Sequence, residues 1–234
     1  MFEQLHIRVR ADVEELPFRV RRATPEEASQ VYLLRQLAYA KRSLYLDQFK
    51  ASLAGPDSID VNPHAVTFVA VCKVTAEVLG TVRVAFNLDL DDLLPPETPA
   101  DPCLDGPFSF IDRLAVKTGA PSSVVPALMK ALWLWTLGRD ARWMVALAGA
   151  SLARHYRHLG GLSIRANGQS FVVARDLAEP VFLLAGRVAD VQNQLIAHNP
   201  KLVDSFFSKV HPDINVMSNV MSNVMSAGPS AAHS

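Results

Sequence analysis

FSFIDRLAVKTG, residues Phe108 to Gly119, runs through Ala120-Pro121 into SSVVPALMKALWLWTLGRD, and the reading of this junction decides the fold. Phe108, Phe110, Leu114 and Val116 form a short, β-favouring apolar run, which Arg113 interrupts. A central strand normally excludes a guanidinium, because burying it unpaired is far costlier than leaving it in water. Arg113 therefore has either a carboxylate partner or an opening in the sheet beside it. The following run predicts a helix from about Ser123 to Leu137, with Pro126 in the first turn, where N–H groups lack intrahelical partners anyway. Trp143 to Ala148 reads as the next strand, which makes strand–helix–strand the centre of the chain.

Working toward the N-terminus, residues 88–107 hold five prolines and six acidic residues and read as a long loop. Val66–Val74 and Val78–Phe86 read as a hairpin around Thr75-Ala76-Glu77. Before them, Gly55-Pro56 punctuates a loop carrying Asp57 and Asp60. Thr24-Pro25-Glu26-Glu27 predicts a helix start with a capping box and a first-turn proline, the helix running to about Leu46 with Val31, Leu34, Leu37 and Ala38 along one side. Phe18–Arg22 alternates as a half-buried strand, and residues 1–16 read as an arm with an edge strand around His6 to Arg10.

Toward the C-terminus, Ser151 caps a short helix, LARHYRHL, that stops at Gly160-Gly161. Ser163–Arg165 and Phe171–Arg175 read as strands, and residues 188–210 as helix, re-started near Asn199-Pro200. Asn-Val-Met-Ser occurs three times from Asn215 to Ser226, so residues 214–234 are expected to be a disordered tail on a domain of residues 1–213. The element order predicts an α/β fold: a single mixed, partly parallel sheet with helices on both faces.

Lysine plus arginine and aspartate plus glutamate balance at 23 each, which gives no bulk attraction to nucleic acid or anionic lipid. Two cysteines, Cys72 and Cys103, are too few for a disulfide framework and suit a reducing cytoplasm. No stretch reaches the roughly 18 unbroken apolar residues of a membrane span. The first residues lack the layout of a signal peptide, so a cytoplasmic location is expected.

Arg35 and Tyr39 share a helix face, and Tyr45, Asp57 and Asp60 follow at a spacing that, with Gly80-Thr81-Val82-Arg83, the strand IDRLAV and the segment HYRHLGG, resembles the GNAT superfamily of acyltransferases. More narrowly it resembles the branch of long-chain N-acyl amino acid synthases and acyl-homoserine-lactone synthases. The resemblance covers residues 18–160, with Arg113 standing where the branch has the arginine of a Glu-x-x-Arg motif. Phe110 replaces that glutamate, with Asp112 the nearest acid, and Gly161 replaces the aromatic that ends the Tyr-x-x-Leu-Gly segment. The resemblance implies a GNAT-like fold and N-acyl transfer from a thioester to the amine of an amino acid or similar small molecule, with no cofactor and no metal. It also leaves two alternatives: an acyl-homoserine-lactone synthase using S-adenosylmethionine, or a non-catalytic acyl- or carrier-binding relative.

Amide formation from a thioester needs a neutral amine, donors to the developing oxyanion and a proton for the leaving sulfur. Backbone N–H groups where a strand splays can supply the donors. Tyr156 stands where such enzymes often keep the tyrosine that protonates the thiolate; the plainer reading is a helix tyrosine packed on the sheet. Asp57 and Asp60 either hold or deprotonate the amine, each raising the other's pKa, or simply decorate a polar loop. Arg35 and Arg83 are either a carboxylate clamp, loop-shaping ion pairs, or solvated. Arg113 is either functional or a buried structural ion pair.

The loop Lys117 to Ser123 has one glycine, Gly119, and Pro121 removes an N–H, so it is poorly furnished for a coenzyme A pyrophosphate. An acyl carrier protein is therefore the expected donor and partner. Lys117, Lys130, Arg139, Arg142, Arg154 and Arg157 are the candidate basic contacts for it.

Overall fold

The structure, a computed structural model, describes residues 12–40, 53–89, 104, 106–148, 152–154, 156, 163–164, 170–171 and 181–217. In chain order the strands are Asp12–Val13 (β1), Phe18–Arg22 (β2), Ala65–Cys72 (β3), Val78–Phe86 (β4), Phe108–Val116 (β5), Trp143–Ala148 (β6), Ser163–Ile164 (β7), Ser170–Phe171 (β8), Val181–Arg187 (β9) and Lys209–Val210 (β10). The helices are Ala28–Ala40 (α1), Val124–Leu137 (α2), Val191–His198 (α3) and Pro200–Val203 (α4).

The main sheet has the order β2-β3-β4-β5-β6-β9-β7, with β8 also on β9. Its pairs are antiparallel except β5 with β6, which are joined through α2 by the crossover that a parallel pair requires. Alternation along the strands divides the core. Phe18, Val20, Phe68, Ala70, Val82, Val84 and Ile111 meet Leu128, Met129 and Leu132 of α2 on one face. Val69, Val71, Val78 and Ala115 meet Val31, Leu34 and Tyr39 of α1 on the other. Helices thus cover both faces, as the sequence predicts. Gly80 lets α2 lie close to the sheet: a Cβ there would stand 2.6 Å from Val124 Cγ1 and 3.1 Å from Leu128 Cδ1.

At the start of α1, Pro25–Glu27 form a 3-10 turn, and the Glu27 carboxylate accepts the Thr24 N–H at 2.9 Å while pairing with Arg21. The buried stripe of α1 is Val31, Leu34, Arg35 and Tyr39, whereas Leu37, expected on that stripe, is 64 % exposed. Three and four residues on from Val31 lie Leu34 and Arg35, and Leu37 falls outside that arc. The helix beyond Ala40, the edge strand at His6 to Arg10 and most of the loop 88–107 lie outside the described residues.

Val181–Arg187 is a strand that the sequence reading did not anticipate. Leu184 faces the main core, while Leu183 and Ala185 face the cluster of Phe110, Trp143 and Val145, so all three are fully buried and no alternation marks the strand. The expected helix over 188–210 is a 3-10 turn, α3, α4 and a π-helical turn at Asp204–Ser208, after which β10 pairs in parallel with β1.

The boundary placed after Asp213 falls inside packed structure. Asp213 accepts the Leu16 N–H at 2.9 Å and pairs with Lys73 at 2.8 Å; the Asn215 N–H donates to the Val20 carbonyl at 2.8 Å. Ile214 and Val216 pack against the main core. The domain therefore includes residues through Val216. No helix among the described residues is long and apolar enough to cross a membrane.

Candidate active site

Opposite Thr81 and Arg83 of β4 stand Ala115 and Asp112 of β5, so two residues of β5, Arg113 and Leu114, face the single Val82. This is a β-bulge, and Arg113 adopts φ +54° within it. Strict alternation would send Asp112 and Arg113 to opposite faces of the sheet. The extra residue changes the parity instead: Ile111, Leu114 and Val116 belong to the α2 side, and Ala115 to the α1 side. Asp112 and Arg113 both reach one cluster of charges as a result.

Arg83, 1 % exposed, is the centre of that cluster. Its Nε donates to Asp112 Oδ1 at 2.8 Å and its Nη2 to Asp112 Oδ2 at 2.5 Å. It also pairs with Asp57 and, at 3.0 Å, with Asp60. Arg113 Nη2 donates to Asp57 Oδ2 at 2.8 Å, and Arg35 Nη1 to the two Asp60 oxygens at 3.2 and 3.1 Å. Arg35 Nη2 donates to Thr67 Oγ1 at 3.2 Å. Three arginines and three aspartates thus alternate in one network, and their charges cancel.

The Asp57 Oδ1 atom also accepts the N–H groups of Ile59 and Asp60, each at 2.9 Å, which folds the loop after Gly55-Pro56 back on itself. Burial pushes the Asp57 carboxyl up, but the Arg83 hydrogen bonds and charge and the Arg113 hydrogen bond outweigh it and hold it well below the usual carboxylate range. For Asp57 this direction is opposite to the mutual raising expected of the Asp57–Asp60 pair, because Arg83 stands between the two carboxylates. Burial likewise pushes the Arg83 guanidinium down, while the charge and hydrogen bonds of Asp112 and the bonds of Asp57 hold it above its ordinary value.

Tyr39, one turn along α1 from Arg35, donates its hydroxyl to the Leu114 carbonyl at 3.2 Å, so the helix is tied to the bulge. Five of the ten predicted site residues (Arg35, Asp57, Asp60, Arg83 and Arg113) share this network, and Tyr39 abuts it. Tyr45 lies outside the described residues. Asp112 is the member that the site prediction left out. Its signal was its place beside Arg113, with Phe110 withdrawn into a core of Trp143, Val145 and Leu183.

Beside the bulge the sheet opens. β5 and β6 pair from Phe108–Trp143 to Ile111–Ala146. Beyond that, β5 keeps its pairing with β4 as far as Val116, and β6 keeps its pairing with β9 as far as Ala148. The two parallel strands therefore part just where Arg113 sits. Both readings of Arg113 hold together: it has a carboxylate partner and an opening beside it.

Lys117 and Gly119 stand past the end of β5, at the mouth of this fork. Ala120 donates to the Lys117 carbonyl at 3.1 Å, closing a turn whose third residue, Gly119, has φ +81° as such a turn requires. Lys117 pairs with Glu77. Tyr156, 4 % exposed, lies beyond the end of β6 in helical residues packed in the main core.

Lys130, expected on the basic surface, is buried, its ammonium donating to the Ser205 and Lys209 carbonyls at 2.7 and 2.8 Å. The reason is the C-terminal turn, which wraps over that side of α2. Arg139 and Arg142 precede β6, at the end opposite the fork, and Arg139 stacks 4.8 Å over Trp135. Arg154 is exposed, and Arg157 lies outside the described residues.

A strand pair that parts at a bulge, flanked by helices on both faces, can be compared with solved structures. FeeM, an N-acyl amino acid synthase from uncultured soil microbes, superposes with a TM-score of 0.60 at 15 % identity, over 76 % of this chain and 95 % of that one. This is the GNAT acyltransferase fold. The acyl-homoserine lactone synthase BjaI, described as coenzyme A-dependent, gives a TM-score of 0.55 at 14 % identity, over 79 % of this chain and 89 % of that one. MesI, a further coenzyme A-dependent synthase of that kind, gives 0.52 at 15 % identity, over 83 % and 100 %. No protein-family model matches the sequence, and no curated protein matches it. The likeness is one of fold, the GNAT-like fold that the resemblance of the sequence implies.

Proposed function

We propose that the chain is an N-acyltransferase that moves a fatty acyl group from an acyl carrier protein thioester to the amine of an amino acid or similar small molecule. The observation that carries this reading is the fork between β5 and β6 with the Arg113 bulge at its apex. At such a fork the backbone leaves one ladder, and among the described residues its polar groups face the gap where an extended thioester arm and the oxyanion formed on its carbonyl would bind. The neutral amine attacks the carbonyl carbon, the C–S bond breaks, the thiolate takes a proton, for which Tyr156 is the proposed donor, and the proton that the nitrogen sheds on becoming an amide returns to the phenolate.

In this reading Arg35, Asp57, Asp60, Arg83 and Asp112 are positioning residues. Saturated by arginines and backbone N–H groups, Asp57 serves to fix the loop and Arg113 rather than to take a proton. The amino-acid acceptor is preferred to S-adenosylmethionine because Phe110, in the place of the homoserine-lactone synthase glutamate, is buried among apolar side chains.

The donor assignment draws on the loop after β5. Lys117, Ala120 and Val124 already donate their N–H groups to the carbonyls of Leu79, Lys117 and Pro121, and Pro121 has none. That leaves a poor cradle for a pyrophosphate, while a carrier's single phosphodiester asks for fewer donors. With Lys130 buried, the candidate basic contacts for a carrier at this end, among the described residues, are Lys117 and Arg154. Mass spectrometry of lipid extracts from cells overproducing the protein tests the whole reading: a new N-acyl amine is expected, naming acceptor and chain together. Extracts unchanged from those of an Arg113→Ala control would contradict it.

A further inference from the structure

Between α2 and the C-terminal turn lies a cavity of about 300 Å³ to which no described residue of β5 or β6 contributes. Lys130, Ser205 and His211 line it together with the apolar Leu16, Leu202 and Ile214. The pairing of β1 with β10 sets the histidine. The Glu14 N–H donates to the Val210 carbonyl at 3.1 Å, and in a parallel pair the residue two beyond Val210 would return an N–H to the Glu14 carbonyl. That residue is Pro212, which has none. His211 Nδ1 lies 3.1 Å from the same carbonyl and donates in its place, which on the neutral ring leaves Nε2 as the acceptor. Nε2 stands 3.4 Å from Ser205 Oγ and 3.2 Å from the Ser205 carbonyl. That carbonyl already accepts from the Lys130 ammonium at 2.7 Å, so the hydroxyl is the donor that Nε2 lacks.

We propose that Ser205 and His211 are a nucleophile and its base, and that this cavity hydrolyses small neutral esters with a short apolar acyl group. A hydroxyl held to an imidazole whose other nitrogen is fixed by a third group is the arrangement that activates a serine, and the first of these bonds is often long before substrate binds. Ser205 sits in the π-helical turn Asp204–Ser208, a rare backbone form that recurs at functional sites. Two of the three Lys130 N–H donors are taken by the Ser205 and Lys209 carbonyls, and among the described residues the third has no acceptor. In the reaction Ser205 Oγ attacks the ester carbonyl carbon as its proton passes to Nε2, and the Lys130 ammonium stabilises the charge on the carbonyl oxygen. The bond to the alcohol oxygen breaks, and the alcohol leaves with the proton from Nε2. Water then attacks the acyl-serine and gives a proton to Nε2; the acid departs as Oγ takes that proton back. The apolar part of the lining and the small volume set the size of the acyl group.

The full chain is treated with an alkyl fluorophosphonate, from which an activated serine displaces fluoride, and the adduct is located by peptide mass spectrometry. An adduct on Ser205 is expected. Hydrolysis of p-nitrophenyl butyrate is expected to fall at least about a hundredfold in Ser205→Ala, the scale of a nucleophile activated by its base. In His211→Gln, checked for folding by its melting temperature, labelling is expected to slow at least about tenfold. No adduct on Ser205, or equal ester hydrolysis by Ser205→Ala, overturns the proposal whether or not His211→Gln folds. So does a folded His211→Gln that is labelled at the unmodified rate. Neither failure touches the acyltransferase reading, because none of these residues belongs to the fork or its ion network.

Discussion

Asp112 and Arg113 are consecutive on one strand, yet both side chains enter the same ion network, Asp112 on Arg83 and Arg113 on Asp57. The bulge makes this possible by placing Arg113 at φ +54°, a conformation that costs a non-glycine residue about 1 kcal/mol. Charge pairing on that face offsets the cost. The same irregularity releases the strand from β6, so the ion network and the fork have one origin in the chain.

Removing the centre of the network is expected to be more damaging than removing its edge. Arg83→Met leaves Asp57 and Asp112 facing one another without their shared cation, and breaking a buried pair in this way costs about 3–5 kcal/mol. Arg35→Met removes a partner from Asp60, which keeps Arg83, and is expected to lose less. Urea unfolding of the two variants beside the unmodified protein checks the order; equal losses would contradict a network centred on Arg83.

Asp57 sets a pH dependence. Its folded-state pKa is depressed relative to an unfolded value of about 3.9, so its contribution is complete above that value. It is lost as pH falls from about 4 down through the folded pKa. Asp57→Asn is expected to be less stable than the unmodified protein at pH 7 and to show a shallower loss between pH 5 and 2, roughly the range in which this carboxylate begins to protonate. Parallel curves for the two proteins, measured by urea midpoints at each pH, would show that Asp57 does not carry the acid sensitivity.

Gly80 is required by the approach of α2. Gly80→Ala places a Cβ 2.6 Å from Val124 Cγ1, so the helix must shift, at about 1–3 kcal/mol for an overpacked core. A compensating Val124→Ala in the same chain is expected to recover part of the loss in melting temperature. No recovery would place the strain elsewhere.

The end of the packed domain can be found by two truncations. Ending the chain after Asp213 removes Ile214, the Asn215 N–H bond to Val20 and Val216, whereas ending it after Met217 keeps them. For a domain of this size each lost kcal/mol lowers the melting temperature by about 2–4 °C. The shorter chain is expected to melt several degrees below the longer; equal melting would restore the boundary at Asp213.

The strands from Phe18 to Val116 and the helices α1 and α2 were legible because their apolar periods are clean and their caps and turns are punctuated by Pro, Gly and Glu. β9 was not, because its consecutive Leu183, Leu184 and Ala185 are buried on both faces and so carry no alternation, while Gly186 reads as a breaker. The set of charged site residues was legible from spacing, but the pairing within it was not. Which carboxylate meets which arginine depends on a register slip between β4 and β5, a tertiary fact. Lys130 looked exposed for the same kind of reason, since the turn at Ser205 to Lys209 that buries it lies 75 residues away in the chain.

Thiol release from an acyl carrier protein thioester, followed in the presence and absence of an amino-acid amine, tests the central claim most directly. Amine-dependent thiol release, matched by an equal amount of N-acyl product, is the predicted result, and it should fall by at least about a hundredfold in Arg113→Ala, whose loss unseats the apex of the fork. A protein that binds the thioester but releases no thiol with any amine would contradict the account and leave a carrier-binding domain in its place.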